Sequence, residues 1–143
     1  MELILWRWST TAQITSGLMI AVFFIVLARS VRRVEVRPWV FAWLANLGAL
    51  AVTSIFWLAQ PSSQIAFKAI IAGYVFWKTL FVVLLAAGAW TFVRRRPGVV
   101  LRRVVFSLVF LYAIVAALTI DAIDKLGVVQ SAVIAILFGA CTV

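Results

Sequence analysis

The sequence predicts an all-α fold, a polytopic transmembrane helix bundle of about five spans with the fifth incomplete. Hydrophobic residues make up 66% of the 143 positions and charged residues only 12%, with a mean hydropathy of +1.19, far from the usual composition of soluble domains. The stretch 65–93 is apolar on every side, without a period of 2 or 3.6 that would mark one wet face. Arginine-rich runs separate the apolar stretches, as is typical of cytoplasmic loops between spans.

We interpret residues 1–143 as a single membrane domain. The first eleven residues combine tryptophans with charges, a composition typical of the headgroup layer. The first apolar stretch is too long, and too soon followed by others, to be a cleaved signal peptide. Pro38 suits the first turn of the second helix. The predicted spans are 10–28, 39–59, 74–93, 104–123 and 128–143.

The third span is placed by length. Residues 65–93 would form a helix of about 43 Å at about 1.5 Å per residue, whereas the hydrocarbon layer is roughly 30 Å thick. Counting back about twenty residues from Val93 gives the span 74–93. We therefore expect 65–73 to be an interfacial or protruding start, and Lys78 to lie just under the outer surface.

The last apolar stretch, 128–143, is short of a full crossing and has no positive flank. We expect this chain to be the front part of a longer protein. With the spans alternating, the carboxyl side of span five would face the cytoplasm and could carry a cytoplasmic domain.

The distribution of positive charge predicts the topology. Nine of the thirteen Lys and Arg residues fall in two short runs, which alternating spans place on the same side of the membrane. This asymmetry predicts an amino terminus outside and both loops inside a bacterial inner (cytoplasmic) membrane. Because topology explains the basic residues, nucleic acid is not expected as a partner. The topology-determining residues are Arg29, Arg32, Arg33, Arg37, Arg94, Arg95, Arg96, Arg102 and Arg103.

Two charges are expected within the membrane, Lys78 and Asp121. Lys78 lies sixteen residues before Arg94, and Asp121 lies eighteen residues after Arg103, which gives depths of about 24 and 27 Å. These similar depths leave open an ion pair or a water-bridged pair near the outer face, where an external ligand could be sensed. In the alternative, Lys78 extends to the outer headgroups and Asp121 belongs to the outer turn.

Uncharged polar residues are expected to face other helices. Asn46 would be costly against lipid, so it should face a neighbouring helix, and it joins Lys78 and Asp121 as a candidate intramembrane polar or ligand site. Gln13, Thr15 and Ser16 are expected to make hydrogen bonds between helices rather than to form a ligand site.

The sequence offers little for catalysis. It contains no histidine, which excludes histidine metal sites and Ser-His or Cys-His catalysis within these residues. It has neither Gly-x-x-x-x-Gly-Lys-Ser/Thr nor Gly-x-Gly-x-x-Gly. Its single cysteine, Cys141, is interpreted as a small buried hydrophobe. We expect no catalytic, cofactor-binding or metal-binding residue, and no catalytic activity from these 143 residues.

Two stretches carry a family resemblance. RPWVFAWLANLGAL, from Arg37, resembles the opening of the second span in amino-terminal membrane domains of bacterial GGDEF diguanylate cyclases. AIIAGYVFWKTL, from Ala69, and WTFVRRRP, from Trp90, are similar to the third span and exit of those domains. The resemblance covers roughly 18–97. It implies an input module for a cyclase that makes cyclic di-GMP, or for a histidine kinase, and any such catalysis would belong to a portion not present here.

Three hypotheses about function follow. The first is a sensory or anchoring module of a bacterial signal-transduction protein that feeds a cytoplasmic output domain. The second is a small transporter or channel subunit, supported by Lys78 and Asp121 but without obvious broken helices. The third is a structural assembly subunit. The lipid bilayer is the expected partner, while a homodimer through the membrane domain and a small external ligand stay open.

Overall fold

The computed structural model describes residues 2–31, 36–93, 99–119, 128–129 and 131–136. The described residues form four long helices and two short helical stretches, at 128–129 and 131–136, and contain no strand. The predicted all-α helical bundle is therefore confirmed. The helices are α1 (Glu2–Val31), α2 (Arg37–Ala59), α3 (Gln64–Val93) and α4 (Val99–Thr119).

By length and composition, three stretches of the described helices could each cross a membrane, and a fourth apolar helix is shorter. The three long stretches are Thr11–Ser30, Arg37–Ala59 and Gln64–Thr91, and the shorter helix is Arg103–Thr119. The molecule thus has the helices expected of a membrane protein.

The predicted spans 10–28, 39–59 and 74–93 each fall within one helix. The last two predicted spans are only partly described. Residues 120–123 of the fourth lie outside the described residues, as do 130 and 137–143 of the fifth. The fifth span therefore stays a prediction.

The described helices pack in chain order: α1 on α2, α2 on α3, and α3 on α4. The most extensive of these contacts joins α2 and α3, which form an antiparallel hairpin. Small residues on α2 make its interface close, because they let neighbouring backbones approach. Ala42, Ala45 and Ala49 are all at most 1% exposed.

A four-residue turn joins the two helices of this hairpin. At its start Gln60 adopts a left-handed conformation, with φ of 39°, and its backbone N–H donates a 3.0 Å hydrogen bond to the carbonyl of Phe56. This satisfies a carbonyl at the end of α2, and Pro61 then prevents continuation of the helix. At the other end of α2, Pro38 lies in the first turn, as predicted.

The short turn fixes how α2 and α3 align. Phe56 and Phe67 contact near the turn, with ring centroids 6.1 Å apart. Farther along the hairpin, Trp43 and Phe81 contact at 5.4 Å. Each helix therefore runs beside the other over most of the length of α2.

Residues 65–73 form the first turns of α3, which is helical from Gln64. Their expected interfacial or protruding position relative to the membrane stays a prediction. Ile71 is only 3% exposed, in a buried cluster with Val75 and residues of α4. A turn of four residues leaves the first turns of α3 no distance in which to separate from the last turns of α2.

Two glycines allow tryptophan rings to lie against the opposite backbone of the hairpin. Trp77 of α3 lies over Gly48 of α2, where an added Cβ would be 2.9 Å from the ring. Trp39 of α2 lies over Gly88 of α3 so closely that an added Cβ would overlap the indole. Each helix thus provides one tryptophan and one glycine to the interface.

The predicted topology can be tested at two exposed serines, Ser30 near the end of α1 and Ser63 in the α2–α3 turn. Each is replaced singly by cysteine in a Cys141→Ser background and treated with an impermeant thiol reagent on intact cells. We expect Ser63→Cys to label from outside and Ser30→Cys only after permeabilisation, because the arginine runs should stay inside. The reverse pattern would show that the orientation is wrong.

Candidate intramembrane polar site

The site is built on Lys78, which lies near the middle of α3. Between Arg37 and Arg94 the sequence has only one other charge, Lys68, ten residues earlier. The Nζ of Lys78 donates a 3.0 Å hydrogen bond to Oδ1 of Asn46 on α2. A charged donor and an amide acceptor therefore join the two central helices.

Both groups are largely withdrawn from the surface. Asn46 is 9% exposed, and Lys78 is partly buried. On the other side of the amide is α1, where a Cβ added at Gly17 would lie 3.8 Å from Asn46 Nδ2. Asn46 is thus enclosed between α1 and α3, and its carbonyl oxygen is directed to the lysine.

An aromatic row borders the pair and crosses three helices. The Lys78 ammonium lies 5.5 Å from the centroid of the Phe81 ring, close enough for a cation–π contact. Phe81 contacts Trp43 of α2, and Trp43 stacks with Phe24 of α1 at 6.5 Å. These rings separate the polar pair from the ends of the helices that adjoin the arginine loops. The lysine is therefore held by one amide and one aromatic face.

The structure brings together two of the three predicted site residues. Asn46 faces a neighbouring helix, as expected, and its partner is Lys78. Asp121 lies outside the described residues, so the predicted pair between Lys78 and Asp121 stays a prediction. Near the end of α4, the carbonyl of Leu118 lies 3.5 Å from Nζ of Lys68, ten residues from Lys78 along α3.

The polar residues of α1 bond differently from our expectation. Gln13, Thr15 and Ser16 were expected to bond between helices, but each bonds within α1. Thr15 donates to the carbonyl of Thr11 at 2.9 Å, and Ser16 donates to that of Gln13 at 3.1 Å. A hydroxyl in a helix can always reach the carbonyl of the preceding turn, so it needs no second helix.

The arrangement can recognise a hydrogen-bond acceptor. An ammonium provides three N–H donors, and Asn46 accepts one of them. Among the described residues, no group of three or more His, Cys, Asp or Glu side chains could hold a metal ion.

The aromatic row and the two tryptophan–glycine contacts were not anticipated from the sequence. The only signal for them was the presence of glycines and aromatic residues in the second and third predicted spans, which does not specify how the two helices align. Comparison with known proteins adds no relative: no protein-family model, curated protein or solved structure matches the chain.

Proposed function

We propose that this chain is a sensory or anchoring module of a bacterial signal-transduction protein, embedded in the inner membrane with its amino terminus outside. The observation that supports it best is the hydrogen bond from Lys78 to Asn46 within an apolar hairpin. A charged side chain within a membrane is energetically unfavourable, and charged residues found there commonly mark functional positions. This one lies where it can influence how two helices pack.

The hairpin provides a route from the polar pair to the arginine loops. Helix α2 begins at Arg37, beside the first arginine run, and α3 ends at Val93, immediately before the second. A ligand that competes with Asn46 for the ammonium would weaken one contact between these helices. Because helices move as rigid elements, a small shift at the pair would reach both loops on the predicted cytoplasmic side.

The output proposed for such a module is a cytoplasmic catalytic domain. The resemblance of RPWVFAWLANLGAL to GGDEF membrane domains favours a diguanylate cyclase, and hence a cyclic di-GMP signal. No Gly-Gly-Asp/Glu-Glu-Phe signature stands in this chain, so the module would provide input and position and would have no cyclase activity of its own.

The test is a fusion of residues 1–143 to a diguanylate cyclase catalytic domain through linkers of several lengths. Cyclic di-GMP is measured in cells that carry equal membrane amounts of the wild-type, Lys78→Met and Lys68→Met fusions. We expect Lys78→Met to change the output by about fivefold or more, the lower range of coupling between sites, and Lys68→Met to change it little. Equal outputs from all three fusions, at every linker length, would contradict the proposal.

A second candidate, a small transporter or channel subunit, is favoured by the same partly buried lysine, since intramembrane charges also occur on substrate pathways. It predicts solute uptake or ion flux in proteoliposomes that Lys78→Met abolishes. Flux of this kind, together with no effect of Lys78→Met on the fused cyclase, would favour transport over signalling.

A further inference from the structure

An open groove runs along the outer side of α3 and α4, away from the polar pair. It has a volume of about 840 Å³ and is formed mainly by α4, with one ring from α3. One end is polar and the remainder is apolar. The residues that line it are Arg103, Ser107, Phe106, Phe110, Leu111, Ile114 and Phe76.

The polar end has a defined position and charge. Arg103 and Ser107 are one turn apart on α4, so their side chains lie on the same face, and both are exposed. Side chains on a helix lean toward its amino terminus, which for α4 is the end that follows the second arginine run. The guanidinium is thus directed toward the predicted cytoplasmic surface.

The groove as a whole, from its polar end to its last apolar residue, has about the length of one membrane leaflet. From Arg103 to Ile114 is eleven residues, about 16 Å along a helix, and half of a hydrocarbon core is about 15 Å. Its rings are fixed by mutual contacts, since Phe76 meets Phe106 and Phe110 edge-on at 6.1 and 6.3 Å. The groove therefore offers an apolar wall beside a cationic end.

We propose that this groove is a binding site for an anionic phospholipid of the cytoplasmic leaflet. The phosphate accepts hydrogen bonds from the Arg103 guanidinium and the Ser107 hydroxyl, and one acyl chain lies against Phe110, Leu111 and Ile114. Charge complementarity selects this occupant, because basic pockets on the cytoplasmic side of transmembrane helices suit anionic headgroups. Glu2 is the only acidic residue among the described residues, and it lies at the start of α1.

The site is tested by native mass spectrometry of the full chain released from nanodiscs that contain equal phosphatidylglycerol and phosphatidylethanolamine. Wild type should retain phosphatidylglycerol in preference. Arg103→Gln should reduce that preference about tenfold, as expected for the loss of a charge-assisted hydrogen bond. Arg29→Gln is the matched control, since it removes an exposed arginine from the last turn of α1, outside the groove, and should leave the preference unchanged.

A second pair of variants tests the apolar wall without changing charge. Leu111→Trp should obstruct the groove and reduce retention of both lipids, whereas Leu118→Trp, at an exposed position of α4 outside the groove, should not. An unchanged preference in Arg103→Gln, or an equal fall in Arg29→Gln, would overturn the proposal. So would efficient disulfide dimerisation of Ser107→Cys in a Cys141→Ser background in bilayers, because a second copy would then occupy the groove.

Discussion

Replacing Gly88 with alanine will destabilise the protein, whereas the same change at Gly73 will be nearly neutral. An added methyl at Gly88 overlaps the Trp39 indole, but at Gly73 it meets Val52 at an ordinary 3.7 Å. Overpacking in a well-packed interior costs about 1–3 kcal/mol, whereas exchange of glycine for alanine within a helix can gain up to about 1 kcal/mol. Unfolding by dodecyl sulfate in mixed micelles, followed by tryptophan fluorescence, measures both.

The cause of the Gly88 effect can be isolated with Trp39. If the indole is what the new methyl displaces, Gly88→Ala should cost little in a Trp39→Ala background. An equal cost in both backgrounds would show that the methyl is opposed by something else. Gly48→Ala, beneath Trp77, is expected to behave like Gly88→Ala but more mildly, because the added Cβ would lie 2.9 Å from the closest ring atom instead of overlapping the ring.

Lys78→Met will lower stability more than Lys68→Met, and Asn46→Leu will lower it most. Loss of the lysine leaves the buried amide of Asn46 without its donor, which costs about 1–3 kcal/mol. Loss of the amide instead leaves a charge without its acceptor in a poorly hydrated interior, which costs more. Lys68 is the matched control, because its side chain lies near the surface end of α3, 3.5 Å from the Leu118 carbonyl.

The pair itself is measured by a double-mutant cycle in the same unfolding assay. Lys78→Met and Asn46→Leu together should cost less than their separate effects added. We expect a coupling between about 0.6 kcal/mol, the average for hydrogen bonds between transmembrane helices, and about 1.7 kcal/mol, the maximum. Additive effects would mean that the two side chains do not interact. A second cycle, with Asp121→Asn, tests the ion pair that the sequence predicts.

The sequence was sufficient for the fold class and for the orientation of Asn46. Apolar length predicts helices, and the cost of an amide against lipid predicts that Asn46 faces a neighbour. The partner of Lys78 was not predicted, because its depth was counted from Arg94. That count assumes that both arginine runs lie at the same depth at the membrane surface. It uses no information about which helices pack together.

The pairing of Asn46 with Lys78 follows if residues are counted from the α2–α3 turn instead of from Arg94. Asn46 lies thirteen residues before Ala59, and Lys78 lies fourteen residues after Gln64, so a tight hairpin places them side by side. The tryptophan–glycine contacts could not be found this way. Their geometry depends on side-chain rotamers and on the rotation of each helix about its axis, which a nearly uniform apolar surface does not specify.

The packing of the described helices in chain order has a consequence for biosynthesis. Because each of α2, α3 and α4 contacts the helix made immediately before it, no helix has to wait for a distant segment to find its main partner. Local contacts of this kind form quickly, and chains generally assemble from the amino terminus as they are synthesised. The hairpin of α2 and α3, including the bond between Asn46 and Lys78, can therefore form while α4 is still within the ribosome. Lys78 would then have Asn46 as its hydrogen-bond acceptor before α4 enters the membrane.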